Sequence, residues 1–205
     1  MTLMIRYDYV SWEKLFPGCG VDLTALRYEP PDDYLAGAEA ALKHLRLGRS
    51  PKPGTITEMR DDLRDALAAA THLESCYAAV LFPKPKRNSD HLWLEFTAYD
   101  NTQADLTVTD ALHDELLDPA HTEVVVQGPS QLELPCGAAL RVLQTTVTRA
   151  PDGTRTHRFP RLTICGSNAS GSTLFTIRSY ATTETLTEIL DELVTAWARG
   201  LAFSD

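Results

Sequence analysis

The chain has 205 residues, 43% hydrophobic and 23% charged, so a core of ordinary size is possible without metal or disulfide staples. Its formal net charge of -9 argues against a general nucleic-acid binder, which needs surplus Lys and Arg to meet phosphate, and against docking on an anionic membrane surface. Four scattered cysteines (Cys19, Cys76, Cys136, Cys165) form no CxxC pair and no zinc-ligand spacing with histidine. Free, mostly buried thiols in a reducing cytoplasm are therefore expected.

Residues 1–31 read as an irregular arm, with a possible strand in "MIRYDYV" and turn signals in "FPGCG" and "EPPDD". The start lacks a basic segment followed by an apolar one, so no signal peptide is expected, and the predicted location is the cytoplasm. Residues 32–75 carry two helical patterns. In the first, Asp32 or Asp33 caps a stripe of Tyr34, Leu35, Ala38, Leu42 and Leu45, and Gly48 stands past the end. In the second, Thr55 and Glu58 have capping-box spacing ahead of Met59, Leu63, Ala66, Leu67 and Ala70.

The period then changes. "CYAAVLF" is a short unbroken apolar run, as in a strand buried on both faces. "HLWLEFTAY" alternates, with Leu92, Leu94, Phe96 and Ala98 on one face and Trp93, Glu95, Thr97 and Tyr99 on the other. Trp93 and Tyr99 imply that the second face is covered too, a hint of self-association. "DLTVTDALHDELL" reads as a short helix. Strand-rich segments follow, with "APDGT" as a hairpin turn, and a final helix carries Leu186, Ile189, Leu190, Leu193, Val194 and Trp197 at helical spacing.

Few residues point to chemistry. "LPCGAAL" sets Cys136 between a proline and a glycine, as a displayed thiol or as a turn between strands. As a nucleophile it would need a base, and His157 lies on a strand predicted to pair with the one after Cys136. "CGSNASGS" reads as a hairpin loop, and no nucleotide cradle, HExxH or metal-ligand ladder is present, so no cofactor or metal is expected. Residues 100–123 hold seven acids and no Lys or Arg, which reads as a solvated helix face. Residues 141–178 hold six arginines and one acid. Arg149, Arg155, Arg158 and Arg161, around "APDGT", are the candidate binding residues, against a reading as edge-strand protection.

Over about residues 124–203, "LELPCGAALRV", the arginine-bearing hairpins and "STLFTIRSYATTETLTEILDELVTAWARGLAF" resemble bacterial PsbP-like proteins of the Mog-one/PsbP fold. Cys136 stands where such chains commonly carry a small residue such as alanine. The resemblance implies an α-β-α sandwich around a largely antiparallel sheet and a binding or assembly role; no functional residue carries over. The expectation is therefore one α+β domain over 1–205, with the sheet and its final packing helix in 76–205. The expected function is non-enzymatic interaction with another protein, or self-association. The alternative is a small-molecule binding protein or an enzyme using Cys136 with a histidine.

Overall fold

A computed structural model of the chain describes residues 6–24, 34–43, 45–47, 53–70, 76–84, 88–116, 123–149 and 156–204. In chain order the elements are β1 (Arg6–Asp8), α1 (Trp12–Leu15), β2 (Gly20–Asp22), α2 (Tyr34–Leu42), α3 (Pro53–Ala70), β3 (Tyr77–Leu81) and β4 (Leu92–Asp100). There follow α4 (Val108–Glu115), β5 (Glu123–Leu134), β6 (Gly137–Arg149), β7 (Thr156–Ser167) and β8 (Thr173–Ala181). A 3-10 turn at Glu184–Leu186, α5 (Thr187–Ala198) and β9 (Ala202–Ser204) close the chain. One open sheet has the strand order β2-β3-β4-β8-β7-β6-β5, and β1 pairs with β9. The pairs β2–β3, β5–β6, β6–β7 and β7–β8 are antiparallel, as expected of this α+β class. The caps at Asp32, Asp33 and Gly48, the "APDGT" turn and Arg155 lie outside the described residues.

Contacts divide the chain into two compact units, Ser11–Glu95 and Met1–Val10 with Phe96–Asp205. In the first, α2 and α3 bury Ala38, Ala41, Leu42, Met59, Leu63 and Leu67 against Val21, Ala78, Val80, Phe82 and Trp93. Tyr77, Ala79 and Leu81 are buried as well, so β3 is covered on both faces, as its unbroken apolar run predicts. The Tyr77 hydroxyl accepts from the Trp12 backbone N–H at 2.8 Å.

Two local readings need correction here. The helix begins at Pro53, so Thr55 is buried inside its first turn and is not the cap of a Thr55–Glu58 box. Proline suits that first position because its N–H would be orphaned anyway. The arm 1–31 also contributes a strand to the sheet: β2 pairs with β3, Val21 opposite Val80.

In the second unit, strand alternation assigns a face to every residue of β6, β7 and β8. Leu140 pairs with Cys165, and Cys165 with Thr176, so these share a face. Helix α4 covers it, burying Ala111 and Leu112 with Val142, Cys165 and Leu174, while Tyr99, Val108 and Leu116 pack around them. The opposite face carries Ile164, Phe175 and Ile177, all fully buried. There α5 brings Trp197 to Phe96, ring centroids 5.7 Å apart, and Phe96 meets Phe175 at 6.3 Å. This unit is thus a sheet between two helices, in α-β-α order. The cover over Trp93 and Tyr99 comes from α2 and α3 in one unit and from α4 in the other, so those side chains are not marks of self-association.

The "PCG" stretch is a turn. Leu134 ends β5, Gly137 opens β6, and the two are paired. Gly137 holds φ at 151°, and a Cβ there would collide with the Ser167 carbonyl oxygen. Gly137→Ala should therefore cost about 1–3 kcal/mol, read as a lower urea midpoint at unchanged slope. An unchanged midpoint would mean that the two hairpin ends are free to separate.

Candidate functional site

The acidic and basic segments of the sequence meet in the second unit. On the α4 face, Arg161 of β7 donates to the Glu115 backbone carbonyl at 3.1 Å and lies 3.4 Å from the Glu115 carboxylate. Arg178 of β8 lies 3.6 Å from the same carboxylate oxygen. Glu115 is 20% exposed, so the acidic run is not wholly a solvated face. On the other face, Arg141 bonds both carboxylate oxygens of Asp191 on α5, at 2.6 and 2.8 Å. Arg158 reaches Glu184 at 3.0 Å, with both side chains about half exposed, a geometry worth little in stability. Arg149 pairs through its backbone with Thr156 at the end of β6. Of the four candidate binding arginines, Arg158 and Arg161 are thus engaged with acids of this chain.

The two ends of α4 are held by charge. Thr107 caps the first turn: its hydroxyl accepts from the Asp110 N–H, and the Asp110 carboxylate accepts from the Thr107 N–H. These bonds hold the Asp110 carboxyl below its ordinary value. Their contribution is present above the unfolded carboxyl value and is lost as pH falls through the lower folded one.

Cys136 is buried in the turn, and burial pushes its thiol up, away from the thiolate. A cavity of about 220 Å³ adjoins it, lined by Pro135, Cys136, Asn168, Ala169, Leu201, Ala202 and Phe203, with no imidazole among the described lining residues. The strand of His157 does pair with β6, but His157 stands opposite Thr148, at the far end from Gly137. At ~3.3 Å per residue Gly137 and Thr148 are roughly 35 Å apart along β6. The Cys136–His157 constellation is therefore not formed. Cys165 is buried beneath α4, and desolvation pushes its thiol to about 11. Among the described residues no group of His, Cys, Asp and Glu is placed to hold a metal ion.

A feature with no chemical signature in the sequence is the outer edge of β5. The sheet ends on this strand. Its register with β6 breaks between Gln127 and Ser130, around exposed Gly128 and Pro129. The break leaves a short regular stretch at 130–134, with Gln131 and Glu133 exposed. Gln131 pairs with Leu140 and Glu133 with Ala138, so both lie on the α4 face. There the first turn of α4 (Thr107, Val108, Thr109) walls a groove of about 410 Å³, with Ala138 and Leu140 along it and Gln131 and Glu133 toward the edge. A turn-bounded run such as "SQLEL" reads as a strand; that it ends the sheet follows only from the long-range order of strands.

No family model matches the chain, and no curated protein matches it. Among solved structures, the chain is similar to LpqN, involved in cell envelope biogenesis of Mycobacterium tuberculosis, at 10% identity and a TM-score of 0.32. The match covers 66% of this chain and 69% of that one, a likeness too slight to carry fold or function. Among the described residues no helix is long and apolar enough to cross a membrane.

The burial pattern orders the thiols. Cys19 and Cys76 are partly exposed, whereas Cys136 and Cys165 are buried. With iodoacetamide at pH 7.5, peptide mapping should find Cys19 and Cys76 modified first and Cys165 last. Prior labelling of Cys136 would return it to consideration as a reactive group.

Proposed function

We propose that this chain is a non-enzymatic interaction protein that accepts an extended segment of another protein along the free edge of β5. The observation that carries this reading is the open sheet: among the described residues nothing pairs with the outer side of β5. An edge strand presents a row of unpaired backbone N–H and C=O groups, a template for one more strand. The break at Gln127 and Ser130, with exposed Pro129, interrupts that template. Such an edge is poor for continuous sheet-to-sheet aggregation but leaves five residues, enough for a short added strand. The groove beside it offers room for a side chain, and in strand addition such pockets supply specificity. A binding or assembly role is also what the PsbP-like layout of residues 124–203 implies. Chemistry at Cys136 has no comparable support, because the thiol is buried and no imidazole stands among the described residues lining its cavity.

Alternate residues of a strand turn their N–H groups to opposite sides, so one of Gln131 and Leu132 donates outward. Proline at the outward position removes an edge donor and spares the β6 ladder. Of Gln131→Pro and Leu132→Pro, the variant that keeps the wild-type Tm is the outward one. After cross-linking in the native cell, wild-type chain should capture a protein partner with cross-links concentrated at residues 123–134. The outward proline variant should reduce that capture by about fivefold or more. Equal capture by both would overturn the reading.

A further inference from the structure

We infer that the segment added to β5 is basic, with a Lys or Arg side chain lying in the groove beside the first turn of α4. The inference rests on the edge-pairing reading and narrows it to one class of partner. Along β5 the charges are Glu123 and Glu133, with no Lys or Arg. Among the described residues no Lys or Arg lines the groove, and Glu133 is the one charged residue in its lining. The nearest strand arginine in sequence, Arg141, is held on the opposite face by Asp191. The groove therefore joins an apolar wall, Val108, Ala138 and Leu140, to an acidic rim at Glu133. Such a surface suits a long side chain with an apolar stem and a cationic head. Its threonines, Thr107 and Thr109, offer oxygen acceptors to an ammonium or guanidinium.

A second copy of this chain fits less well. A second β5 carries no Lys or Arg, so pairing of two whole strands meets neither Glu123 nor Glu133 with a cation. Pairing only the two short halves places both Glu133 carboxylates on one face with no cation between them. Like charges facing across strands are destabilising. The net charge of -9 adds to the repulsion between copies and favours a cationic partner.

The test uses the whole chain and two labelled, end-blocked six-residue peptides, one alternating Lys and Val and one alternating Glu and Val, in fluorescence anisotropy at moderate salt. The Lys peptide should bind and slow amide hydrogen exchange within residues 130–134, and the Glu peptide should do neither. Glu133→Lys should weaken the Lys peptide by about tenfold. Glu192→Lys, the same charge change at an exposed site on α5, should leave affinity within about twofold. Equal losses in the two variants would reduce the effect to net charge and overturn the inference, as would binding without protection of 130–134. If neither peptide binds while the outward proline variant still loses its partner, the basic class falls and the edge reading stands. If that variant also captures normally, both fall.

Discussion

The second unit is organised around one ring. Phe96 is fully buried and lies within 5.2 Å of Tyr7, 5.7 Å of Trp197 and 6.3 Å of Phe175, centroid to centroid. These three neighbours belong to the N-terminal arm, the last helix and β8. Aromatic pairs contribute about 0.5–1.5 kcal/mol each beyond the area they bury, and they fix geometry more tightly than aliphatic contacts do. Once α5 is seated on that face by Trp197, the other face of β6–β8 still carries Val142, Cys165 and Leu174 and needs its own cover. Helix α4 supplies it, and the charges that steady α4 follow from where it has to sit.

The arginines and acids change meaning in that light. Read along the chain they are two opposed blocks, which points outward to a partner. In the fold, Glu115 is brought to two arginines on neighbouring strands, and Asp191 to Arg141 through the sheet's other face. A short helix with few apolar contacts gains from anchors at both ends, and α4 has the Thr107–Asp110 box at one and Glu115 at the other. Beneath it Gln144, Thr163 and Thr176 are buried, so this interface is more polar than the face under α5. A buried hydroxyl left without a partner, as at Thr163, costs about 1–3 kcal/mol, which makes the helix's anchors matter more.

The sequence was legible where one element decides its own pattern. The alternation over 92–99, the apolar run ending in "VLF" and the stripe of the last helix each follow from a single burial requirement that repeats along the strand or helix. The turn at Pro135 and Cys136 was legible because proline and glycine act locally. Three kinds of feature were not legible. β2 has only three residues between turns, too few for any period. The start of α3 is ambiguous in the sequence because Thr55 and Glu58 have capping-box spacing while Pro53, two residues earlier, is an equally good first residue. The edge position of β5, and the acid that meets each arginine, depend on strand order and register, which join residues far apart in the chain. Arg161 and Glu115 are an example: each is ordinary in its own segment, and only the crossing of α4 over β7 pairs them.

The closing ribbon has a consequence for how the molecule is made. Among the described residues β1 pairs with β9 alone, Tyr7 standing opposite Phe203, and the Trp197 indole donates to the Val10 carbonyl at 2.9 Å. A ribosome releases residues 6–10 at the outset and residues 197–204 last of this span. At ~5–20 residues per second Tyr7 waits roughly 10–40 s for Phe203, and Tyr9 as long for Trp197. Through that interval the seat of Tyr7 and Tyr9 is incomplete, and such rings are the kind of surface that chaperones hold. Vectorial synthesis therefore leaves the second unit for last, however early its first strand leaves the exit tunnel.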